Sequence, residues 1–259
     1  MSGTVMAPTR SIAEATTLIE EGVERFLLAR KTLPKLGKYE SHLEALNLFN
    51  FVIRHTEAIC TLANRDLVML PSALPLARAA LETTCKIIWM LHPTEVFDRE
   101  ARWLAYLAGE ESYLRKTGNL LIECGQDGAP WIENANETHQ FRTSVERLLP
   151  PTTQPLKALP DFRSMLKEIG EEPRYLSYMR LSQFAHGTHA AGSLYRKNLG
   201  CGKVLGEFIY PESWAEPMKC CWWCLATGGT RILNVLGGQS REFMNESFLY
   251  KVTEALNKV

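Results

Sequence analysis

Between about Leu74 and Leu91 the chain carries apolar residues on nearly every side of a helix: Leu76, Ala79, Leu81, Ile87, Ile88, Trp89 and Met90. A helix with no broad polar face does not lie at a surface. It belongs in the middle of other helices. Its polar residues make one narrow stripe, Arg78, Glu82 and Lys86, spaced by four. Charges inside a bundle have to be paired, so Glu82 is expected either to ion-pair Arg78 or to reach a neighbouring helix. Ser72 reads as the cap of this helix with Pro75 in its first turn, and His92–Pro93 ends it.

The surrounding sequence supplies helices to cover it. Ile12, Ala15, Leu18, Ile19, Val23, Phe26 and Leu27 recur at spacings of three and four, which predicts an amphipathic helix from Ser11 to about Lys31, stopped by Pro34 and Gly37. A second helix is predicted over about Tyr39–Ala63. A long fourth, capped by Thr94, runs over about Glu95–Leu121. Gly125, Gly128 and Pro130 mark a loop over Glu123–Glu137, before short helices at His139–Leu149 and Asp161–Ile169. Ser213–Leu236 reads as one helix and Ser240–Asn257, capped by Ser240, as the last. Four glycines over Gly192–Glu212 and alternating Val204, Phe208 and Tyr210 suggest a loop or small β-hairpin near 193–212. With no internal repeat or linker, the expectation is a disordered tail over 1–10 and a single all-α bundle over 11–259.

Composition excludes several functions. Basic and acidic residues number 29 each, for a formal net charge of zero, which disfavours a protein that coats nucleic acid. No run approaches the roughly 18 apolar residues of a membrane span, and the first ten residues lack the pattern of a secretory signal. The seven cysteines are therefore read as reduced thiols of a cytoplasmic protein. Cys220-Cys221-Trp222-Trp223-Cys224 contains a CxxC, but it falls mid-helix with no preceding strand and no second ligand pair, so core packing is the favoured reading. The chain has no P-loop, dinucleotide fingerprint, G-x-S-x-G or paired Glu-x-x-His, so no cofactor is expected.

The remaining stretch with chemistry is Tyr175–Ala191, YLSYMRLSQFAHGTHAA. Read as one helix, it places Tyr175, Ser182, His186 and His189 on one stripe. Histidine titrates near neutrality and serves as general acid or base. An arginine holds phosphate through two parallel hydrogen bonds. Arg180 precedes His186 by six residues, a spacing that leaves the two about 120° apart on an ideal helix. They would converge from two subunits, through a bend, or by the reach of the arginine. The structural alternative has these polar residues capping or bonding inside the bundle. A metal held by His186 and His189 lacks a third ligand.

The Arg180-to-His186 spacing resembles the Arg-x(4–6)-His motif of the HEPN superfamily of helical bundles. ARAALETTCKIIWMLHP, with Arg78 and Glu82, followed by Y-x-x-L-S-x-x-A-H-G, is similar to an uncharacterised HEPN-like bacterial family. The resemblance implies a dimeric HEPN-like bundle. It also implies a metal-independent endoribonuclease of toxin or antiviral-defence type, with an RNA substrate and an antitoxin or other protein as partner. His186 would assist attack of the ribose 2′-hydroxyl on the phosphate and Arg180 would steady the phosphate charge. Ser182, His189, Glu82, Arg78 and Tyr175 would support them. The alternative is a non-catalytic HEPN-like binding or scaffold module.

Overall fold

The apolar helix forms the centre of an all-α bundle. A computed structural model describes residues 5–34, 38–192 and 210–259, and contains no strand among them. In chain order α1 is Arg10–Arg30, α2 Glu40–Arg65, α3 Leu70–Met90 and α4 Val96–Glu123. Next come α5 at Ala129–Glu146, α6 at Phe162–Glu168, α7 at Arg174–Ala185 and α8 at His189–Gly192. After the undescribed 193–209 follow α9 at Ala215–Trp223, α10 at Gly229–Leu236, α11 at Ser240–Phe243 and α12 at Glu246–Asn257. α3 packs against α2, α4, α6, α7 and α9. Ala77, Ala80, Ile87, Trp89 and Met90 have no exposed surface. Each fully buried large apolar side chain contributes about 1.5–3 kcal/mol relative to exposure, so the helix that lacks a polar face is also the one that gains most from being surrounded.

Several boundaries differ from the sequence reading, for local reasons. Within residues 5–10 Val5 is exposed, but Met6 and Thr9 are anchored. Met6 donates its amide to Asp66 Oδ1 at 2.9 Å and accepts from the Leu67 amide at 2.9 Å. Thr9 then caps α1 by accepting from the Ile12 amide. α3 begins before Ser72, because Pro71 already supplies a helix-compatible φ in the first turn and the 3-10 turn Leu67–Met69 leads straight into it. Thr94 makes no side-chain cap. Glu95 occupies the cap position of α4, and Arg99 instead bonds the carbonyls of Pro93 and Thr94.

The largest difference is α5, an 18-residue helix that includes the short helix expected from His139 but begins ten residues earlier, where a loop is expected. Pro130 sits in its first turn, so the residue read as a breaker acts as a start signal. The α4–α5 hairpin closes on two glycines: a Cβ on Gly128 would lie 2.0 Å from the Gly118 carbonyl oxygen. α5 packs chiefly on α4 and buries only Ala135 of its own residues.

The helix expected over Ser213–Leu236 begins with the 3-10 turn Pro211–Trp214 and is interrupted by a π-turn at Cys224–Gly228. That turn inserts an extra residue where Gly228 meets Phe49 and Thr84 and Gly229 meets Phe243. The last predicted helix is split in two, and Asn245, not Ser240, caps α12 by accepting from the Phe248 amide. The suggested hairpin near 193–212 lies almost wholly outside the described residues. No helix among those described is long and apolar enough to cross a membrane.

Glu100, 9% exposed, ties α4 to the start of α2. Its carboxylate accepts from the amides of Glu40 and Ser41 at 3.2 and 3.0 Å, supplying a cap that Tyr39 does not. Glu100→Ala is expected to destabilise the chain by about 2–3 kcal/mol, because those amides lose a charged acceptor in a buried place. Glu100→Gln, which keeps an acceptor oxygen, should lose about half as much. Denaturant unfolding measures both, and equal stability of Glu100→Ala and the parent chain would remove this role.

Candidate functional site

α7 begins after Pro173 and ends at His186, so the stretch read as one helix is broken. Gly187 adopts φ +56°, a left-handed conformation that terminates a helix, and α8 restarts at His189. The Thr188 amide bonds back to the Gln183 carbonyl at 3.1 Å across this turn, and the Thr188 hydroxyl donates to Gln183 Oε1 at 2.8 Å. The stripe of Tyr175, Ser182, His186 and His189 therefore does not continue along a single helix. His186 is the exposed C-terminal cap residue of α7, and His189 is exposed in α8. Ser182 donates to the Tyr178 carbonyl at 2.6 Å, a bond within its own helix.

Arg180 and His186 are held by different helices. Arg180 pairs with Glu216 of α9 at 3.0 Å. His186 Nε2 instead accepts from Arg78 Nη1 of α3 at 3.4 Å. Arg78 also donates to the Tyr178 hydroxyl at 3.2 Å, lies over the Tyr178 ring at 5.0 Å, and pairs with Glu82 at 2.8 Å. The narrow polar stripe of α3 thus meets α7. Of the two expectations for Glu82, the pair with Arg78 is the one formed. Tyr175 stacks on Tyr178 with ring centroids 5.6 Å apart.

The cluster at this face is therefore Arg78, Glu82, Tyr178 and His186. It joins a cation, a carboxylate, a hydroxyl and an exposed imidazole whose Nε2 acts as an acceptor. Tyr178 escaped the sequence reading, although it stands one turn after Tyr175 and one turn before Ser182. Its role depends on the crossing of α7 over Arg78, which no local pattern encodes.

A second feature lies where Arg180 points. Arg174, Ser177 and Arg180 line a cleft of about 490 Å³ with Glu216, Lys219 and Trp223 of α9. Arg174 covers the Trp223 ring at 4.5 Å. Burial pushes the Glu216 carboxyl up from its ordinary range, against the opposing pull of Arg180.

The cysteines of α9 and of the π-turn that follows it pack in the core, as their mid-helix position in the sequence implies. Cys220, Cys221 and Cys224 are buried. A hydrogen bond to Cys224, followed by burial, pushes the Cys220 thiol up, and burial does the same for Cys221, Cys60 and Cys85. Thiols of this kind are poor nucleophiles. No group of three metal-ligating side chains occurs among the described residues.

An all-α bundle with a polar cluster between its central helix and α7 is the class that fold and site define. Residues 43–202 match the DUF5677 family, described as a family of unknown function, and the chain belongs to it. That span includes α3 and α7, the two helices that build the Arg78 cluster. No curated protein and no solved structure matches the chain.

Thiol labelling checks the burial of the cysteines. Cys124 is exposed, and Cys201 lies outside the described residues. In a Cys201→Ser background, a disulfide reagent should titrate one thiol rapidly in the folded chain, and Cys124→Ser should abolish that phase. Rapid labelling that persists in the double variant would contradict the buried placement.

Proposed function

We propose that this chain is a HEPN-like binding module for a phosphate-bearing partner, of the RNA class that the sequence resemblance implies. It does not act through an Arg180–His186 pair within one chain. The observation that carries this reading is the separation of those residues: Glu216 of α9 holds Arg180 and Arg78 of α3 holds His186. A general base and its phosphate-holding cation must converge on one phosphodiester to act together. The binding face is Arg78, Tyr178 and His186, where donors from two helices meet beside an exposed imidazole. An antitoxin or other protein partner, and a toxin or phage-defence setting, belong to the same resemblance.

One observation favours a second reading. Arg78 stands 3.4 Å from His186, so a cation and a base do lie side by side at the surface, with Arg78 in the place expected of Arg180. Endoribonuclease activity in one chain would run through this pair. A two-fold dimer would be needed for Arg180 to contribute.

RNA binding by fluorescence anisotropy and cleavage in the presence of a metal chelator separate these readings. The expected result is RNA binding without products bearing cyclic phosphate ends, weakened about tenfold or more by Arg78→Ala or His186→Ala through loss of charged or polar contacts. Metal-independent cleavage abolished by His186→Ala would overturn the binding reading in favour of the enzyme. Loss with Arg78→Ala would then assign the reaction to one chain, and loss with Arg180→Ala to a pair of chains. Failure to bind any RNA tested would overturn the RNA assignment.

A further inference from the structure

We propose that the cleft between α7 and α9 is a second site, taking a phosphoryl group carried on a small molecule or as free phosphate. It is independent of the Arg78 face. The cleft lies within the roughly 300–1,000 Å³ usual for small-ligand pockets, at about 490 Å³. Arg174, Ser177 and Arg180, at intervals of three along α7, all line the cleft from one side. Glu216, Lys219 and Trp223 recur at three and four along α9 and face them.

Charge identifies the ligand. Arg174, Arg180 and Lys219 bring three cations to the lining, while Glu212 and Glu216 bring two carboxylates. Among the described residues Lys219 has no carboxylate within ion-pair distance, and Arg174 has Glu171 at only 3.5 Å. A phosphoryl group offers three terminal oxygens and close to two negative charges, enough to serve all three cations. A carboxylate offers two oxygens and one charge. Trp223, with the Arg174 guanidinium over its ring, forms a flat wall for the carrier.

Glu216 occupies the position the anion would take. Its side chain is 26% exposed while that of Arg180 is 72% exposed. Burial already works against the charged form of Glu216. The pair is an exchangeable contact, since the arginine can turn to an incoming anion and Glu216 is the group displaced. Removing the Glu216 charge should therefore strengthen anion binding, an effect that a merely structural ion pair would not produce.

The test is calorimetric titration of the full chain with inorganic phosphate and with ribose 5-phosphate. Glu216→Gln should bind the phosphoryl probe more tightly, and Arg180→Gln and Lys219→Gln about tenfold or more weakly, whereas Arg54→Gln, on the exposed face of α2, should leave it unchanged. Thermal unfolding of each variant confirms that the fold persists. Stronger binding of ribose 5-phosphate than of phosphate assigns the carried group, and equal binding assigns the free ion; either outcome supports the site. No binding of either probe at millimolar concentration, or affinity unmoved by both Glu216→Gln and Arg180→Gln, would overturn it. RNA binding that depends on Arg78 and His186 but is indifferent to Glu216→Gln keeps this result distinct from the fate of the RNA-binding reading.

Discussion

The structure depends on burying α3 on all sides. A helix with Leu, Ile, Ala and Trp around most of its circumference is stable only when other helices remove that surface from water. α2, α4, α6, α7 and α9 all take part. The polar remainder of α3 then has few places to go. Arg78 and Glu82 pair with each other, and Arg78 goes on to meet Tyr178 and His186 on α7. The candidate site is thus a consequence of core formation: the one polar stripe of the central helix emerges where α7 crosses it.

The same packing fixes what surrounds the site. Trp89 is fully buried yet donates its indole N–H to Glu168 of α6 at 2.7 Å, and Glu168 also pairs with Arg102 of α4. Arg102 returns to the Trp89 carbonyl at 2.6 Å. These bonds tie α4 and α6 to the C-terminal end of α3 and satisfy polar groups that would otherwise be costly to bury. At the opposite end of the chain order, Trp214 donates to the Leu67 carbonyl at 2.9 Å and anchors the turn that leads into α9. α9 thereby supplies the partner of Arg180 and the far wall of the cleft. By contrast, the α4–α5 hairpin leaves Tyr113, Leu120, Ile122 and Phe141 exposed, so the bundle is well filled around α3 and sparse along this arm.

Much of the helical layout was legible in the sequence, because periodicity and capping are local. α6 is the clearest case: Asp161 accepts from the Ser164 amide, as its place before an apolar run predicts. The second half of α5 was legible as the helix from His139, but its first half was not, because Gly128 and Pro130 are ambiguous in isolation. They break a helix or begin one, and the approach of Gly118 to Gly128 decides which. Of the candidate site, Arg78, Glu82 and His186 were legible as residue types on helices. Tyr178 and Glu216 were not, since each matters through a neighbour more than thirty residues away in the chain.

The sequence by itself determined that the chain is all-α and that α3 lies at its centre. It also placed the cysteines of α9 inside, because each of these follows from the spacing of apolar residues within one helix. Only the tertiary structure decided the fate of Arg180 and His186. Left-handed Gly187 ends α7 beside His186, α3 brings Arg78 to the imidazole, and α9 brings Glu216 to Arg180. Those pairings arise from helix crossings, and a crossing is set by how whole faces pack rather than by the order of residues along either helix.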